Sequence, residues 1–321
     1  MAIPEKKPYE RLSDYLERSL PAELEAGKSR GKATADIIAK FNEEPPREMF
    51  APFIWGAANN ALAESGDADA NAYLAAVIAA GGTTDATIDA AVQTLFTDLK
   101  TAGVYSNLTR MYPLVGGVEA AHAINAVNPG TNNLAFNGTW SHSNATGSRP
   151  NGTTSDYANL GVLGTGGDGL VGNDYHHSLY LTAAKTSGNF EYDLGGGSDG
   201  AQQVILESTS FRYSRVSRQD NSSEYQNPPS ATSGFFVNSS QDPNFILMIR
   251  GIQTARSFNV NWNIPTVNTY FGARLFNGTV DNPSTATYGF LTFGNYLNGT
   301  ELGEFETIVN TFQTTLGRNA Y

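Results

Sequence analysis

Glu191 and Asp193 stand two residues apart in a run that reads as a β-strand, so both carboxylates fall on one face of it. Paired carboxylates serve glycoside hydrolysis, ~5–5.5 Å apart for retention and ~6.5–9.5 Å for inversion. The next position on that face carries no third acid. That position is Gly195, and the chain is expected not to be an enzyme. A second constellation, Phe211–Arg218, gathers three arginines with two aromatics. Aromatic faces and guanidinium forks suit sugars, which makes Arg212, Tyr213, Arg215 and Arg218 the glycan-binding candidates. The competing reading is an exposed strand edge blunted by charge. Asp168, Asn173 and Asp174 offer oxygens to calcium, but the run lacks the D-x-[DN]-x-[DN]-G spacing. No metal or other cofactor is expected, and calcium is the one candidate kept.

The four histidines are His122, His142, His176 and His177. Zinc wants three or four ligands at defined spacing, and neighbouring His176 and His177 in a strand point to opposite faces. They are expected to be surface or hydrogen-bonded strand residues. No Ser-His-Asp arrangement and no G-x-S-x-G elbow can be read. The run Gly195–Gly200 has no lysine where a phosphate-binding loop needs one, and it reads as a long hairpin tip. There is no cysteine, which excludes disulfides and thiolate metal sites.

These residues need elements to hold them, and the charge distribution says where the elements change. Residues 1–48 carry 9 Lys/Arg and 10 Asp/Glu. The whole chain has 20 and 31, so everything from position 49 onward carries only 11 (20 minus 9) and 21 (31 minus 10). The segment 1–66 is expected to be a charged helical arm for anchoring and assembly. One amphipathic stretch carries Leu12, Tyr15, Leu16 and Leu20; a second carries Ala33, Ile37, Ile38 and Phe41. Neither is long enough to be stable alone, so each apolar stripe needs a partner, either the chain's own body or another subunit. Residues 49–66 form an apolar linker, and 69–80 a short Ala-rich helix stopped by Gly81-Gly82.

The body, 67–321, is expected to be mainly β: an antiparallel sandwich flanked by helices at 84–102 and 301–316. In the first helix Ile88, Val92, Leu95 and Leu99 recur behind a Thr84 cap, with Gly103 past the end. In the second, Leu302, Phe305, Val309, Phe312 and Leu316 follow a Thr300 cap, with Gly317 closing. Ten candidate strands lie at 134–141, 176–183, 189–194, 203–208, 210–216, 233–238, 244–251, 256–262, 268–276 and 287–294. Asn-Gly pairs at Asn137, Asn151, Asn277 and Asn298 predict turns. Phe245–Arg250 is nearly all apolar, as in a strand covered on both faces.

From Tyr73 onward the chain resembles bacteriophage virion appendage proteins with a concanavalin-like (LamG-like) jelly roll. The matching pieces are Ala86–Gln93 with Leu99–Tyr105, Met111–Gly117, Trp140–Ser143 with Pro150–Tyr157, and Phe312–Arg318. The resemblance implies a fibre, spike or decoration subunit of head or tail, sometimes one that binds host surface glycans. The Glu191–Asp193 pair also resembles part of the E-x-D-x-E run of jelly-roll glucanases.

The absence of an N-terminal apolar segment predicts synthesis in the cytoplasm, and the resemblance implies that this is a host's cytoplasm and that the chain assembles into a virion. The net charge of -11 argues against nucleic acid and anionic lipid as partners. No membrane insertion is expected. The expected partners are other virion proteins through the arm, further copies of the chain as a dimer or trimer, and host glycans. A lectin-like surface adhesin is the alternative, and a polysaccharide-degrading enzyme the third reading.

Overall fold

The computed structural model of the protein describes residues 66–163, 170, 174–186, 191–198, 201–207, 212–215, 225–227, 233–241, 244–257 and 267–321. Residues 67–321 make one compact unit. The arm positions Leu12, Tyr15, Leu16, Leu20, Ile37, Ile38 and Phe41, and linker residues 49–65, lie outside the described residues.

Two helices come first, α1 (Ala68–Ala79) and α2 (Ala86–Thr101). They are followed by β1 (Leu108–Tyr112), the single turn α3 (Glu119–His122), β2 (Ala135–Asn137), β3 (Trp140–Ser143), β4 (Gly147–Pro150) and β5 (Tyr157–Val162). Then come β6 (Asp174–Ala183), β7 (Glu191–Ser198), β8 (Ala201–Glu207), β9 (Arg212–Arg215), β10 (Tyr225–Asn227), β11 (Gly234–Gln241), β12 (Asn244–Ile249) and β13 (Ile252–Ser257). β14 (Asn268–Phe271), β15 (Arg274–Phe276), β16 (Thr279–Asp281) and β17 (Thr287–Gly294) precede the last helix, α4 (Gly299–Thr315).

The strands form two sheets. Sheet one has eight strands in the order β13-β12-β11-β6-β17-β4-β3, with β1 also on β17; sheet two has nine, β10-β9-β8-β7-β14-β5-β2, with β15 on β7 and β16 on β15. Among the described residues every strand pairing is antiparallel except that of β15 with β7. The result is an antiparallel β-sandwich of jelly-roll type, as the sequence predicts.

Sheet one is covered on both sides. Tyr180, Phe235, Val237, Ile246, Met248 and Phe290 share a core with Val92, Leu95 and Phe96 of α2 and Phe305, Val309 and Phe312 of α4. On the other face Leu179, Leu181, Phe236, Phe245, Leu247 and Ile249 meet Ala158, Leu160, Leu194 and Phe271 of sheet two. β12 therefore contributes Ile246 and Met248 to one core and Phe245, Leu247 and Ile249 to the other, the double burial its unbroken apolar run predicts. α2 and α4 pack on each other as well as on the sheet.

The helix caps differ from the expected threonines. Asp85, with φ -130° and ψ 175°, caps α2 by accepting the Ile88 amide at 2.9 Å. Asn298 caps α4: its side chain accepts from Thr300 and Glu301, and the Glu301 carboxylate accepts the Asn298 amide at 2.8 Å. Asp and Asn outrank Thr as caps, and the reciprocal pair is a capping box. Asn298-Gly299 is thus a helix start and not a hairpin turn.

Two expected strands are each two. Gly138 (φ +76°) divides 134–141 into β2 and β3, and Gly272 (φ +80°) divides 268–276 into β14 and β15. At both, the left-handed backbone breaks the strand run. The expected strand at 256–262 begins earlier, at Ile252, because Arg250 and Gly251 (φ 47° and 76°) turn the chain straight back from β12. The short or polar strands β1, β4, β5, β10 and β16 have no counterpart among the ten expected.

Candidate ligand-binding face

Sheet two packs one face on sheet one and turns the other away from it. The face is readable strand by strand. In β5, Ala158 and Leu160 are buried against sheet one, while Tyr157 and Asn159 alternate outward and are partly exposed. In β14, Thr269 and Phe271 are fully buried and Asn268 and Tyr270 alternate with them. Register then aligns Ala135, Asn159, Tyr270 and Gly195 across four strands, and Asn137 beside Tyr157.

The Tyr157 and Tyr270 rings stack, with centroids 4.1 Å apart and planes 10° from parallel. Burial raises the Tyr270 pKa, helped by the adjacent Tyr157 hydroxyl and opposed by a hydrogen bond with the Asn268 amide. Two phenols and an amide thus meet at one spot. Tyr157 presents one ring face to Tyr270, and its cross-strand neighbour on the other side is the exposed Asn137.

Beyond β14 the face is closed by a clamp. The Arg274 guanidinium lies 4.2 Å from the Tyr192 ring centroid and 4.4 Å from that of Phe276. Its Nε donates to Asp281 at 2.9 Å, and its Nη2 is ion-paired with the other carboxylate oxygen. A bidentate pair stacked between two aromatics is a fixed arrangement. The glycines of β7 make room for it, since a Cβ at Gly195 would come within 2.8 Å of the Arg274 Cβ. Gly195–Gly197 are therefore ladder residues of β7, paired with β8 and β15, and the expected β7–β8 hairpin turns only beyond the Ser198–Ala201 pair.

The predicted site residues fare differently. Arg212, Tyr213 and Arg215 are positions of β9 in this same sheet. β9 is flanked by β8 and β10, so it is not the exposed edge of the competing reading. Register aligns Tyr213 with Leu206 and Tyr192, and Arg215 with Val204 and Gly195. Arg218, Asp168 and Asn173 lie outside the described residues. Asp174, the remaining calcium candidate, accepts the Tyr296 amide at 2.7 Å and ties the chain after β17 to the start of β6.

Glu191 and Asp193 are 2% and 1% exposed, and both bind the chain's own groups. Glu191 accepts the Thr285 amide at 2.7 Å and its hydroxyl at 2.9 Å; Asp193 accepts from Tyr288 at 2.6 Å and Ser284 at 3.1 Å. Instead of a cleft pair, these carboxylates lace the loop before β17 to β7.

The histidines are internal. His176 donates Nδ1–H to the Asn295 carbonyl and packs edge-on to Phe305 on the helical side. His177 turns toward Tyr175 and Phe293 on the sheet-two side, with the Asn238 amide 2.9 Å from Nε2. The opposite orientation predicted for this pair holds. His122 and His142, brought together from α3 and β3, hold their Nδ1 atoms 3.1 Å apart around the fully buried Ser148, 2.6 Å and 3.1 Å from its hydroxyl. Gly117 N–H donates to Nε2 of His122, so that ring carries its proton on Nδ1. Burial lowers all four pKa values, His122 to about 2, His177 to about 3, and His142 and His176 to about 4. A serine closed off from solvent between neutral imidazoles is a packing device, not a nucleophile.

Two of the pieces singled out in the sequence, Met111–Gly117 and Phe312–Arg318, meet beside this cluster. Arg318 is 3% exposed, donating to the Asn144 carbonyl at 2.8 Å and the Leu114 carbonyl at 3.1 Å. Asn144 in turn accepts the Gly116 amide and donates to the Thr83 carbonyl. Desolvation lowers the Arg318 pKa to about 10, partly offset by Tyr73.

Tyr157, Asn159, Tyr270 and Arg274 are absent from the sequence candidates. The alternation Tyr157-Ala158-Asn159-Leu160 carries the period-2 signal that would have exposed the first two.

No protein-family model matches the chain, and no curated protein matches it. Among solved structures it is similar to domain 4 of AbnA, an extracellular arabinanase from Geobacillus stearothermophilus described in complex with arabinotriose. That match has 14% identity and a TM-score of 0.42, covering 62% of this chain and 98% of that one. It is also similar to the CBM40 of the Ruminococcus gnavus IT-sialidase, at 13% identity and TM-score 0.37, covering 48% and 94%. The NanB sialidase of Streptococcus pneumoniae matches at 14% identity and TM-score 0.34 over 42% of this chain, which spans 24% of the enzyme's length. At these scores the likeness carries no argument about a ligand.

Proposed function

We propose that the protein is a binding subunit displayed on a bacteriophage particle, held there by its N-terminal arm, 1–66, and recognising host surface glycans through the outer face of sheet two. The observation that carries the binding part is the asymmetry of the sandwich. The central strands of sheet one are covered by helices on one side and by sheet two on the other. Sheet two turns outward the partly exposed Tyr157, backed by the buried Tyr270 on which it stacks, together with Asn137, Asn159 and an aromatic-clamped arginine. Aromatic rings and planar polar groups are what sugar rings and their hydroxyls pack against.

The mode of action we propose is binding and not turnover, because the paired carboxylates are occupied by Thr285, Ser284 and Tyr288. The particle assignment rests on the resemblance of the helices and connecting motifs to virion appendages, and on the composition break that sets the arm apart. Many copies on one particle would amplify weak single-site contacts through effective concentration.

Two measurements test it. Purified particles of the phage carrying this chain, imaged and probed with an antibody to the body, should show the protein on head or tail. A version lacking residues 1–66 should fold but fail to incorporate. Wild-type particles and the isolated full chain should adsorb to host surface polysaccharide, and Tyr157→Ala should reduce that adsorption. Full incorporation without the arm sinks the anchoring half; adsorption unchanged by Tyr157→Ala sinks the assignment of the face.

A further inference from the structure

Resting on the glycan-binding reading above, we infer that the face selects uncharged sugar rings, taken at a subsite formed by Tyr157, Tyr270, Asn137 and Asn159, and that it excludes acidic glycans. The argument is one of charge and spacing.

The four groups are phenols and carboxamides, with no formal charge near neutral pH. The Tyr270 pKa is raised further by burial, which keeps that phenol protonated. Arg274, the cation that closes this end of the face, is held by both carboxylate oxygens of Asp281 and by two aromatic rings. A ligand carboxylate could take it only by displacing Asp281 and leaving that acid unpaired. The other acid nearby, Asp156, is 1% exposed and accepts the Thr139 and Thr153 amides.

The arginines of β9 lie elsewhere on the sheet. Strand order places β9 four strands from β5. At about 4.8 Å per strand that is roughly 19 Å from Tyr157, beyond the reach of one sugar ring. The net charge of -11 adds a general repulsion against polyanions.

The remaining chemistry is specific. The Tyr157 ring face away from Tyr270 can stack on the C–H face of a pyranose, while Asn137, whose Nδ2 donates to the Ala135 carbonyl, and Asn159, whose Oδ1 accepts the Gly161 amide, keep their other amide valences to pair with hydroxyl or acetamido groups. Because Tyr270 backs the ring and Asn268 holds the Tyr270 hydroxyl, the platform is pre-set and little ordering accompanies binding.

The test uses the full chain and two probe sets: neutral hexose and N-acetylhexosamine tetramers, and uronate or sialic-acid-bearing oligosaccharides of the same length. Saturation-transfer NMR and titration calorimetry read binding at low and high salt. The expected result is binding of neutral probes that changes less than about twofold with salt, since no ion pair is screened. Tyr157→Ala should weaken it about tenfold, and Tyr157→Phe, which keeps the ring, by much less. Circular dichroism and unfolding of each variant separate loss of binding from loss of fold. Binding of acidic probes with steep salt dependence overturns this inference while leaving the glycan reading intact. Failure of every glycan to bind a folded wild-type chain removes the glycan reading itself.

Discussion

The two sheets share one sandwich core, yet they differ in what lies on their outer sides. Sheet one carries helices α2 and α4 there, and its central strands are covered along their length: all residues of β17 and nine of ten in β6 are buried or partly so. Sheet two carries no helix among the described residues and alternates, with Ala158 and Leu160 inward and Tyr157 and Asn159 outward. The difference teaches how one fold divides labour. Strands buried on both faces leave their polar side chains to find partners inside, as Ser178 does with Thr292 and His177 with Asn238. A sheet buried on one face keeps a flat, pre-formed platform whose side chains can be chosen for recognition.

The comparison can be broken most forcefully with acid. None of the four histidines sits in sheet two; His142, His176 and His177 are in sheet one and His122 is in α3 beside it. All four have folded pKa values depressed from 6.5, chiefly by burial. Between the folded values and 6.5 the unfolded chain binds more protons than the folded one. The histidine contribution is therefore complete above about pH 6.5 and lost as pH falls toward 4. At pH 5, holding each of His122, His176 and His177 neutral costs about 2 kcal/mol. Urea midpoints should drop steeply between pH 7 and 5, and His177→Gln should flatten the slope. A midpoint independent of pH over that range would contradict the buried neutral set.

Next in size is a truncation under the helical layer. Phe305 packs edge-on to Phe235 and near Phe290, and it is fully buried. Phe305→Ala should cost about 3–5 kcal/mol in chemical denaturation. A loss below about 1 kcal/mol would mean that the helices are an attachment to the sandwich and not its third layer.

The Arg274 clamp comes third. Gly195→Ala puts a methyl 2.8 Å from the Arg274 Cβ, so it should destabilise by about 1–3 kcal/mol and displace the guanidinium from Tyr192. Crystal structures of the variant and parent would show whether β15 moves. Smallest is the effect of Tyr157→Ala on stability, about 1 kcal/mol or less, because the ring is partly exposed and stacks on one neighbour. Should it destabilise as much as Phe305→Ala, the outer face is core and the division between the sheets is wrong.

Much of this architecture is readable in the chain. The stripes Ile88–Leu99 and Leu302–Phe312 predict the two flanking helices, and Gly103 and Gly317 stand just past their ends. The run Phe245–Ile249 predicts a doubly covered strand. The candidate site was less legible. Arg212, Tyr213, Arg215 and Arg218 stand out because their types cluster in sequence. Tyr157 and Tyr270 lie far apart along the chain, and only the pairing of β5 with β14 brings them together. Glu191 and Asp193 show the converse, since same-face alternation correctly pairs them but cannot reveal that Thr285 and Tyr288 close over them.

Local periodicity and turn chemistry sufficed to write down helices, most strands and the sandwich class, because backbone geometry and apolar spacing act within a few residues of each other. Which sheet would be covered by helices and which, among the described residues, would not needed the folded chain. That outcome depends on the packing of α2 and α4 over β6, β11 and β17, contacts between residues far apart in sequence whose energy exists only once the strand order is set.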